Sequence, residues 1–257
     1  MSGPSEAWRT DFLAAMTFLT RLPLRRGATE EPGLATLAEA SWAFPLVGAV
    51  VGLAGGIAYV IASVLGLPAT AAALIAVAVT ALVTGGLHED GLADAADGLG
   101  GGISREQKLD IMRDSRTGVF GVLALVFSVA LRVAALANMG TGSRAFGALI
   151  AAHALGRGFL PAAMRYLTPA REEGLGAEAG RPDQNRVLWA AGLAIVFALA
   201  GIGARAGLSG VVAAAALMAL FAWYAQRQIG GYTGDVLGAL EQIGEAAALL
   251  AAAAWAP

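Results

Sequence analysis

The sequence predicts an all-α polytopic integral membrane protein, a helical bundle of about seven transmembrane helices with an N-terminal interfacial helix. Hydrophobic residues make up 57% of the 257 residues and charged residues only 14%. The mean hydropathy of +0.67 lies well above that of ordinary soluble domains. Seven stretches approach the roughly 20 apolar residues that a helix needs to cross about 30 Å of hydrocarbon. We therefore expect a single membrane-embedded domain over residues 1–257, in contact with a lipid bilayer.

Composition also excludes several classes of protein. The formal net charge is −2 and the two signs are segregated along the chain, so no nucleic-acid partner is expected. The chain has no cysteine, which excludes disulfides, thiolate catalysis and Cys-ligated metals. No signal-peptide pattern is found at the N-terminus, so targeting would depend on the spans themselves.

The elements follow from the spacing of apolar residues. Residues 8–24 are predicted to form an amphipathic interfacial helix that ends at Pro23, and an exposed segment follows over 25–41. Glycines inside the first predicted span have the spacing of close helix packing: Gly48, Gly52, Gly55 and Gly56. The spans are predicted at about 44–66, 69–87, 118–138, 145–164, 187–205, 208–226 and 237–256.

The distribution of basic residues predicts the topology. With a cytoplasmic N-terminus, thirteen of the 17 Lys and Arg residues lie in inside segments and only Arg144 and Arg205 lie outside. The remaining two, Arg132 and Arg157, fall within predicted spans. A bacterial inner-membrane protein with its polar motifs facing the cytoplasm is expected, with the C-terminus on the other side.

The densest acidic stretch lies at residues 88–118, which contain seven of the 19 acidic residues. If 88–97 are helical, Asp90, Asp94 and Asp97 project from one face, where three like charges repel one another. Hard oxygen ligands of this kind suit Mg²⁺ or Mn²⁺, so these three are predicted metal ligands. For residues 103–116, an ordinary solvated amphipathic helix is the alternative.

The end of this stretch contains predicted phosphate-binding residues. Guanidinium groups bind phosphate through two parallel hydrogen bonds, and the backbone amides at the start of the following span can also hold an anion. The predicted phosphate-binding set is Arg113, Asp114, Ser115, Arg116, Arg157 and Thr233. Arg157 is included because it lies in the cytoplasmic half of its span, whereas Arg132 suits a structural partner or a snorkelling role.

His88 stands directly before the acids and titrates near neutral pH, so it is a candidate general base. It could equally be an orienting residue. Together with Asp90 and Asp94 it forms the predicted catalytic set, whereas His153 is expected to be packed within its span.

A second polar motif lies at residues 227–245. Its glycines predict a flexible turn, and Asp235 stands at the start of the last helix, where capping is a sufficient explanation. Capping does not explain Glu241 and Glu245 inside a span. We expect this motif to face the same cavity as the first one, and Asp235 and Glu241 complete the predicted metal ligands.

These motifs resemble those of the cobalamin synthase (adenosylcobinamide-GDP ribazoletransferase) family. The resemblance runs from about residue 11 to 250, through residues 18–23 (FLTRLP), 44–48 (FPLVG), 88–98 (HEDGLADAADG), 111–118 (IMRDSRTG) and 230–238 (GGYTGDVLG).

The resemblance implies a Mg²⁺-dependent membrane transferase whose catalytic domain is the whole chain. A ribose hydroxyl of α-ribazole, or of its 5′-phosphate, would attack adenosylcobinamide-GDP, giving adenosylcobalamin or its 5′-phosphate with release of GMP. The residues agree with this chemistry, since the aspartates would bind a cation at the diphosphate and the arginines would bind the diphosphate oxygens. A homo-oligomer is left open.

Other classes also match parts of the pattern. Residues 94–98 begin like the CDP-alcohol phosphotransferase signature, but the Ala-Arg pair after the glycine is missing and Asp110 and Asp114 come one residue early. A polytopic prenyltransferase also uses two Asp-rich motifs on one membrane face. An ion-coupled transporter would place its acids near the midplane and often shows repeated halves, whereas most acids here fall at span ends.

Overall fold

The computed structural model describes residues 4–23 and 37–256, which form helices joined by turns and loops. The helices are α1 (Pro4–Leu19), α2 (Leu37–Ala40), α3 (Phe44–Val64), α4 (Ala69–Thr84), α5 (Leu87–Gly101), α6 (Arg105–Ile111), α7 (Val119–Ala137), α8 (Gly142–Gly158), α9 (Leu160–Tyr166), α10 (Leu175–Glu178), α11 (Gln184–Ile229) and α12 (Gly234–Ala254). A 3₁₀ turn at Ser41–Ala43 joins α2 to α3. Among the described residues the β-structure is limited to one isolated bridge, so the predicted all-α class is confirmed. Most of the predicted exposed segment 25–41 lies outside the described residues.

Within the described residues, five helical segments are long and apolar enough to span a membrane, and counting the bent pair α4 and α5 as one broken span makes six. The prediction had seven spans, and the difference lies in α11, which contains two of them. Its 46 residues would extend about 69 Å as one straight helix, more than twice the hydrocarbon thickness. Gly203 interrupts the helix with φ 79° and ψ 169°. A Cβ on Gly207 would lie 3.0 Å from the carbonyl oxygen of Ala198, so the chain turns back at Gly203 into two packed arms.

The acidic helix does not continue the second span, as the prediction assumed. Gly85 and Gly86 both have positive φ angles, 70° and 71°, which a glycine adopts without the steric cost of a side chain. The two successive left-handed residues end α4 and turn α5 by 92°. Helix α5 therefore lies across the end of α4 instead of extending it.

The N-terminal helix packs on the bundle. It ends at Leu19, before the predicted end at Pro23, and its buried side chains belong to the hydrophobic core. Asp11 accepts hydrogen bonds from Trp42 Nε1 and from an Arg186 guanidinium nitrogen, each at 2.9 Å. The α1 helix is therefore fixed to both α11 and the 3₁₀ turn before α3.

Helices α3 and α8 form a close contact through glycines, as the spacing predicted. A Cβ on Gly48 would lie 2.6 Å from the carbonyl carbon of His153, and one on Gly52 would lie 2.6 Å from Ile150 Cα. Backbone atoms stand in the way at both positions, so any side chain there would force the two helices apart.

We expect Gly48→Ala to lower the midpoint of thermal unfolding in detergent. Overpacking typically costs about 1–3 kcal/mol, and here the obstructing atoms are backbone. Gly192→Ala is the matched control, since a Cβ there meets nothing within 4 Å and a helical alanine is about 0.5–1 kcal/mol more favourable than glycine. Equal midpoints for the two variants would contradict the packing assignment.

Candidate active site

The two polar motifs meet where α5 crosses α12. A Cβ on Gly91 would lie 3.1 Å from both the carbonyl oxygen of Asp235 and Gly238 Cα, and one on Gly238 would lie 3.2 Å from the carbonyl oxygen of His88. The two backbones are therefore in contact. The starts of both motifs face one cavity, since His88, Asp90 and Asp235 line a cavity of about 140 Å³ whose other walls are mainly apolar. Glu241 and Glu245, which were expected to face it too, are buried elsewhere.

Three of the predicted metal ligands lie around this crossing. Asp90 is exposed, and Asp94 and Asp235 are partly buried. Burial, followed by repulsion from Asp90 and Asp235, raises the pKa of Asp94 to about 6. A divalent cation would relieve this repulsion, and carboxylate oxygens are the ligands that Mg²⁺ prefers. The donor chemistry of Asp90, Asp94 and Asp235 therefore fits Mg²⁺, but their carboxylate oxygens do not all lie within 4.8 Å of one another, so the side chains would have to converge on the ion.

Asp97 has a different environment from the one predicted. Its carboxylate is buried and accepts hydrogen bonds from the backbone amides of Gly118, at 2.6 Å, and Gly121, at 2.9 Å. Asp97 thus caps the N-terminus of α7, where a negative charge is also favoured by the helix dipole. The amide of Gly118, predicted to hold a substrate anion, binds this side chain instead.

Glu241, a predicted metal ligand, and Arg157, a predicted phosphate-binding residue, lie against each other. Their side chains form a buried ion pair, and Glu241 Oε2 also accepts a hydrogen bond from the amide of Gln242 at 2.9 Å. Both are at most 1% exposed. The sequence predicted Arg157 as a site residue from its place in the cytoplasmic half of a span, and Glu241 because capping does not explain an acid inside a span.

A second buried ion pair lies beside the first. Arg132 donates to Glu245 Oε1 at 3.0 Å and approaches Glu89 Oε1 at 3.4 Å. This confirms a structural partner for Arg132.

His153, Glu241 and Glu245 are the one group among the described residues whose metal-ligating atoms all lie within 4.8 Å of one another. Two guanidinium groups, those of Arg132 and Arg157, already neutralise these glutamates. A cation placed there would face strong repulsion from both arginines, so this group does not suit a metal.

His88 connects the cavity to the buried ion pairs. It is 3% exposed, and its Nδ1 lies 3.3 Å from Arg157 Nη2. Because a guanidinium only donates, Nδ1 accepts and the neutral ring carries its hydrogen on Nε2. This contact supports the orienting interpretation of His88 rather than that of a general base.

The other predicted phosphate-binding residues are spread over two positions. Arg116 is exposed and forms three side-chain hydrogen bonds with Asp114, which hold the pKa of Asp114 near 2. Arg113 and Ser115 are exposed nearby. Thr233 is buried and caps α12, since its Oγ1 accepts from the amide of Val236 at 3.2 Å.

Sequence reasoning missed Arg171 as a site residue. It lies in the 167–183 loop, and its Nη1 is 3.9 Å from Asp235 Oδ2. Burial lowers its pKa, and the charges of Asp235, Arg113, Asp110 and Asp94 act on it as well. A single arginine in a charged loop has no spacing that would indicate this position.

The fold and the site define a polytopic helical membrane protein with an acidic, arginine-containing site at one end of the bundle. The chain belongs to the cobalamin-5-phosphate synthase family, whose model matches residues 11–253. Two relatives are named adenosylcobinamide-GDP ribazoletransferase. The protein from Bradyrhizobium diazoefficiens is 47% identical over 95% of this chain and 94% of its own length. The protein from Mesorhizobium japonicum is 43% identical over 94% of this chain and 92% of its own length. No solved structure matches the chain.

We expect Asp97→Ala to destabilise the protein by about 1–3 kcal/mol, because two amides at the start of α7 lose a charged acceptor. Asp90→Ala is the matched control on the same helix, since Asp90 is exposed. Thermal unfolding in metal-free buffer measures the difference. If the two variants unfold at the same temperature, the capping role of Asp97 is excluded.

Replacing Arg132 by alanine leaves Glu245 buried without its guanidinium partner. Breaking a buried ion pair from one side typically costs about 3–5 kcal/mol, so the variant should unfold at a much lower temperature. Arg9→Ala, which removes an exposed arginine from α1, should have little effect. A wild-type midpoint for Arg132→Ala would show that the pair is not needed for stability.

Proposed function

We propose that this protein is an adenosylcobinamide-GDP ribazoletransferase that uses Mg²⁺. The family match and the relatives' names support the transfer reaction. The observation that carries the proposal is the contact of Gly91 with Gly238, because it brings the acidic residues of both polar motifs together. The match extends over both motifs, which favours this function over the CDP-alcohol phosphotransferase and transporter alternatives.

The reaction is a substitution at phosphorus. A ribose hydroxyl of α-ribazole, or of α-ribazole 5′-phosphate, attacks the phosphorus that carries the cobinamide. A new P–O bond forms to the ribose, the bond from that phosphorus to the bridging oxygen breaks, and GMP leaves with that oxygen. The hydroxyl proton is released as the new ester forms, giving adenosylcobalamin or its 5′-phosphate.

The side chains around the α5–α12 crossing have separate tasks in this reaction. Asp90, Asp94 and Asp235 would hold Mg²⁺, which when bound neutralises negative charge on the diphosphate and the leaving group. His88 is fixed by Arg157 and leaves Nε2–H as the donor of its ring.

The basic residues at the two ends of the bundle support a cytoplasmic orientation of the site. Arg105 donates to the carbonyl oxygens of Ile229 and Ala170, which places three basic loops at the same end as the site. At the other end Arg205 lies over the ring of Trp255, 5.1 Å from its centroid. Basic residues favour the cytoplasmic side, and this supports the proposal that the site faces the cytoplasm of a bacterial inner membrane.

Purified protein with Mg²⁺, adenosylcobinamide-GDP and α-ribazole 5′-phosphate should release GMP in equal amount to the joined product, as measured by chromatography. Chelation should stop the reaction and added Mg²⁺ should restore it. Asp94→Asn should reduce kcat/KM by about 10²–10³-fold, the usual cost of removing one electrostatic contact to the transition state.

The exposed Glu106, on α6, provides the control Glu106→Gln, which should retain wild-type activity. Absence of GMP from folded wild-type protein would refute the function. Full activity of Asp94→Asn would refute only the assignment of the site.

A further inference from the structure

The loop at 167–183 is fixed across the site. The amide of Ala170 donates to the carbonyl oxygen of Tyr232 at 2.8 Å, and the amide of Tyr232 donates to that of Thr168 at 2.9 Å. The Tyr232 hydroxyl, which is buried, donates to the carbonyl oxygen of Gly176 at 3.0 Å. These bonds fasten the loop to the turn before α12 on both sides of Arg171.

Arg105 adds a second attachment. Its Nε donates to the carbonyl oxygen of Ile229 at 2.9 Å and its Nη2 to that of Ala170 at 2.6 Å. The residue before Arg171 is thereby fixed to α6 and to the end of α11. These contacts hold the backbone of Arg171 beside the site.

The guanidinium group of Arg171 is only partly used by the protein. Its Nη2 donates to the carbonyl oxygen of Leu109 at 2.6 Å, which fixes the direction of the side chain. Nη1 lies 3.9 Å from Asp235 Oδ2, beyond hydrogen-bond distance, and Nε is buried without a hydrogen-bond partner. Nη1 has no hydrogen bond to the protein and, unlike Nε, is not buried, so this end of the guanidinium group suits an external acceptor.

The other arginines of the predicted phosphate set are less available. Arg116 forms its hydrogen bonds with Asp114, and Arg157 is buried against Glu241. Arg113 is exposed, and no contact fixes its side chain among those of the described residues. Arg171 therefore combines a fixed position with free donors, and it stands next to Asp235 of the proposed cation site.

We propose that Arg171 binds the diphosphate of the nucleotide-linked substrate, between the carboxylates of α5 and α12. This inference rests on the proposed function and assigns the subsite that recognises the diphosphate. A guanidinium presents donors in a fork that matches two phosphate oxygens, whereas an ammonium provides a single centre of charge. In this arrangement the cation held by the carboxylates and the guanidinium group of Arg171 contact different oxygens of the same diphosphate. Together they neutralise more of its negative charge than either does alone.

Equilibrium binding to detergent-purified protein tests the proposal, with adenosylcobinamide-GDP as the probe and adenosylcobinamide, which lacks the diphosphate, as the reference ligand. Arg171→Gln should weaken binding of the GDP compound by about 10–100-fold, the range for a lost charged hydrogen bond, and leave the reference ligand unaffected. Arg171→Lys should still bind the GDP compound about tenfold more weakly than the wild type, since lysine keeps the positive charge but not the two parallel donors of a guanidinium group. Arg181→Gln, an exposed arginine of the same loop, should bind both ligands as the wild type does.

Wild-type affinity of Arg171→Gln for the GDP compound would overturn the proposal. If Arg171→Gln fails to fold, as judged by thermal unfolding, the decision passes to Arg171→Lys, and wild-type affinity of that variant would overturn the proposal too. The GMP assay keeps the two proposals apart. A wild type that releases no GMP refutes the function, whereas GMP release with undiminished binding by the Arg171 variants refutes only this subsite.

Discussion

The site depends on the backbone contact between α5 and α12 at Gly91 and Gly238. Because neither residue has a side chain, the two helices approach closely enough for Asp235 to lie beside Asp90 and Asp94. Metal and phosphate sites require ligand positions within about 0.5 Å of the productive geometry. A side chain at this crossing would have to be accommodated by moving the backbones, and the carboxylates with them. The packing of small residues is thus a condition for the chemistry as well as for stability.

Charge is balanced differently at two depths in the bundle. Among the buried residues, Arg132 and Arg157 are paired with glutamates inside the protein, because an isolated charge in such an environment is too costly. Near the mouth, Asp90 is exposed and Asp94 and Asp235 repel each other, while Arg171 keeps free donors. A bound cation could neutralise the carboxylates there, and a bound anion could pair with Arg171. Acidic residues that look alike in the sequence therefore serve structure at one depth and binding at the other.

Composition and spacing predicted the membrane class, the α3 glycine packing and the cavity shared by the starts of the two motifs. They could not predict interactions that depend on distant elements. Asp97 has the same helical spacing as Asp90 and Asp94, but the start of α7 lies against it. Arg157 and Glu241 are 84 residues apart, and the role of Arg171 arises from bonds made by its loop neighbours. The bend at Gly85 and the reversal at Gly203 depend on backbone angles that any glycine can adopt.

The bend after α4 explains how a strongly acidic helix is tolerated in so apolar a chain. A straight continuation would keep Asp90 and Asp94 in the line of the span, whereas the 92° turn lays α5 across the end of the bundle. At that position water and a cation can reach the exposed Asp90, and the loop carrying Arg171 lies beside Asp235. A transporter needs charged groups that change partners as its substrate crosses, but the buried glutamates here have arginine partners on neighbouring helices. The distribution of charge therefore agrees with a fixed catalytic site at the membrane boundary.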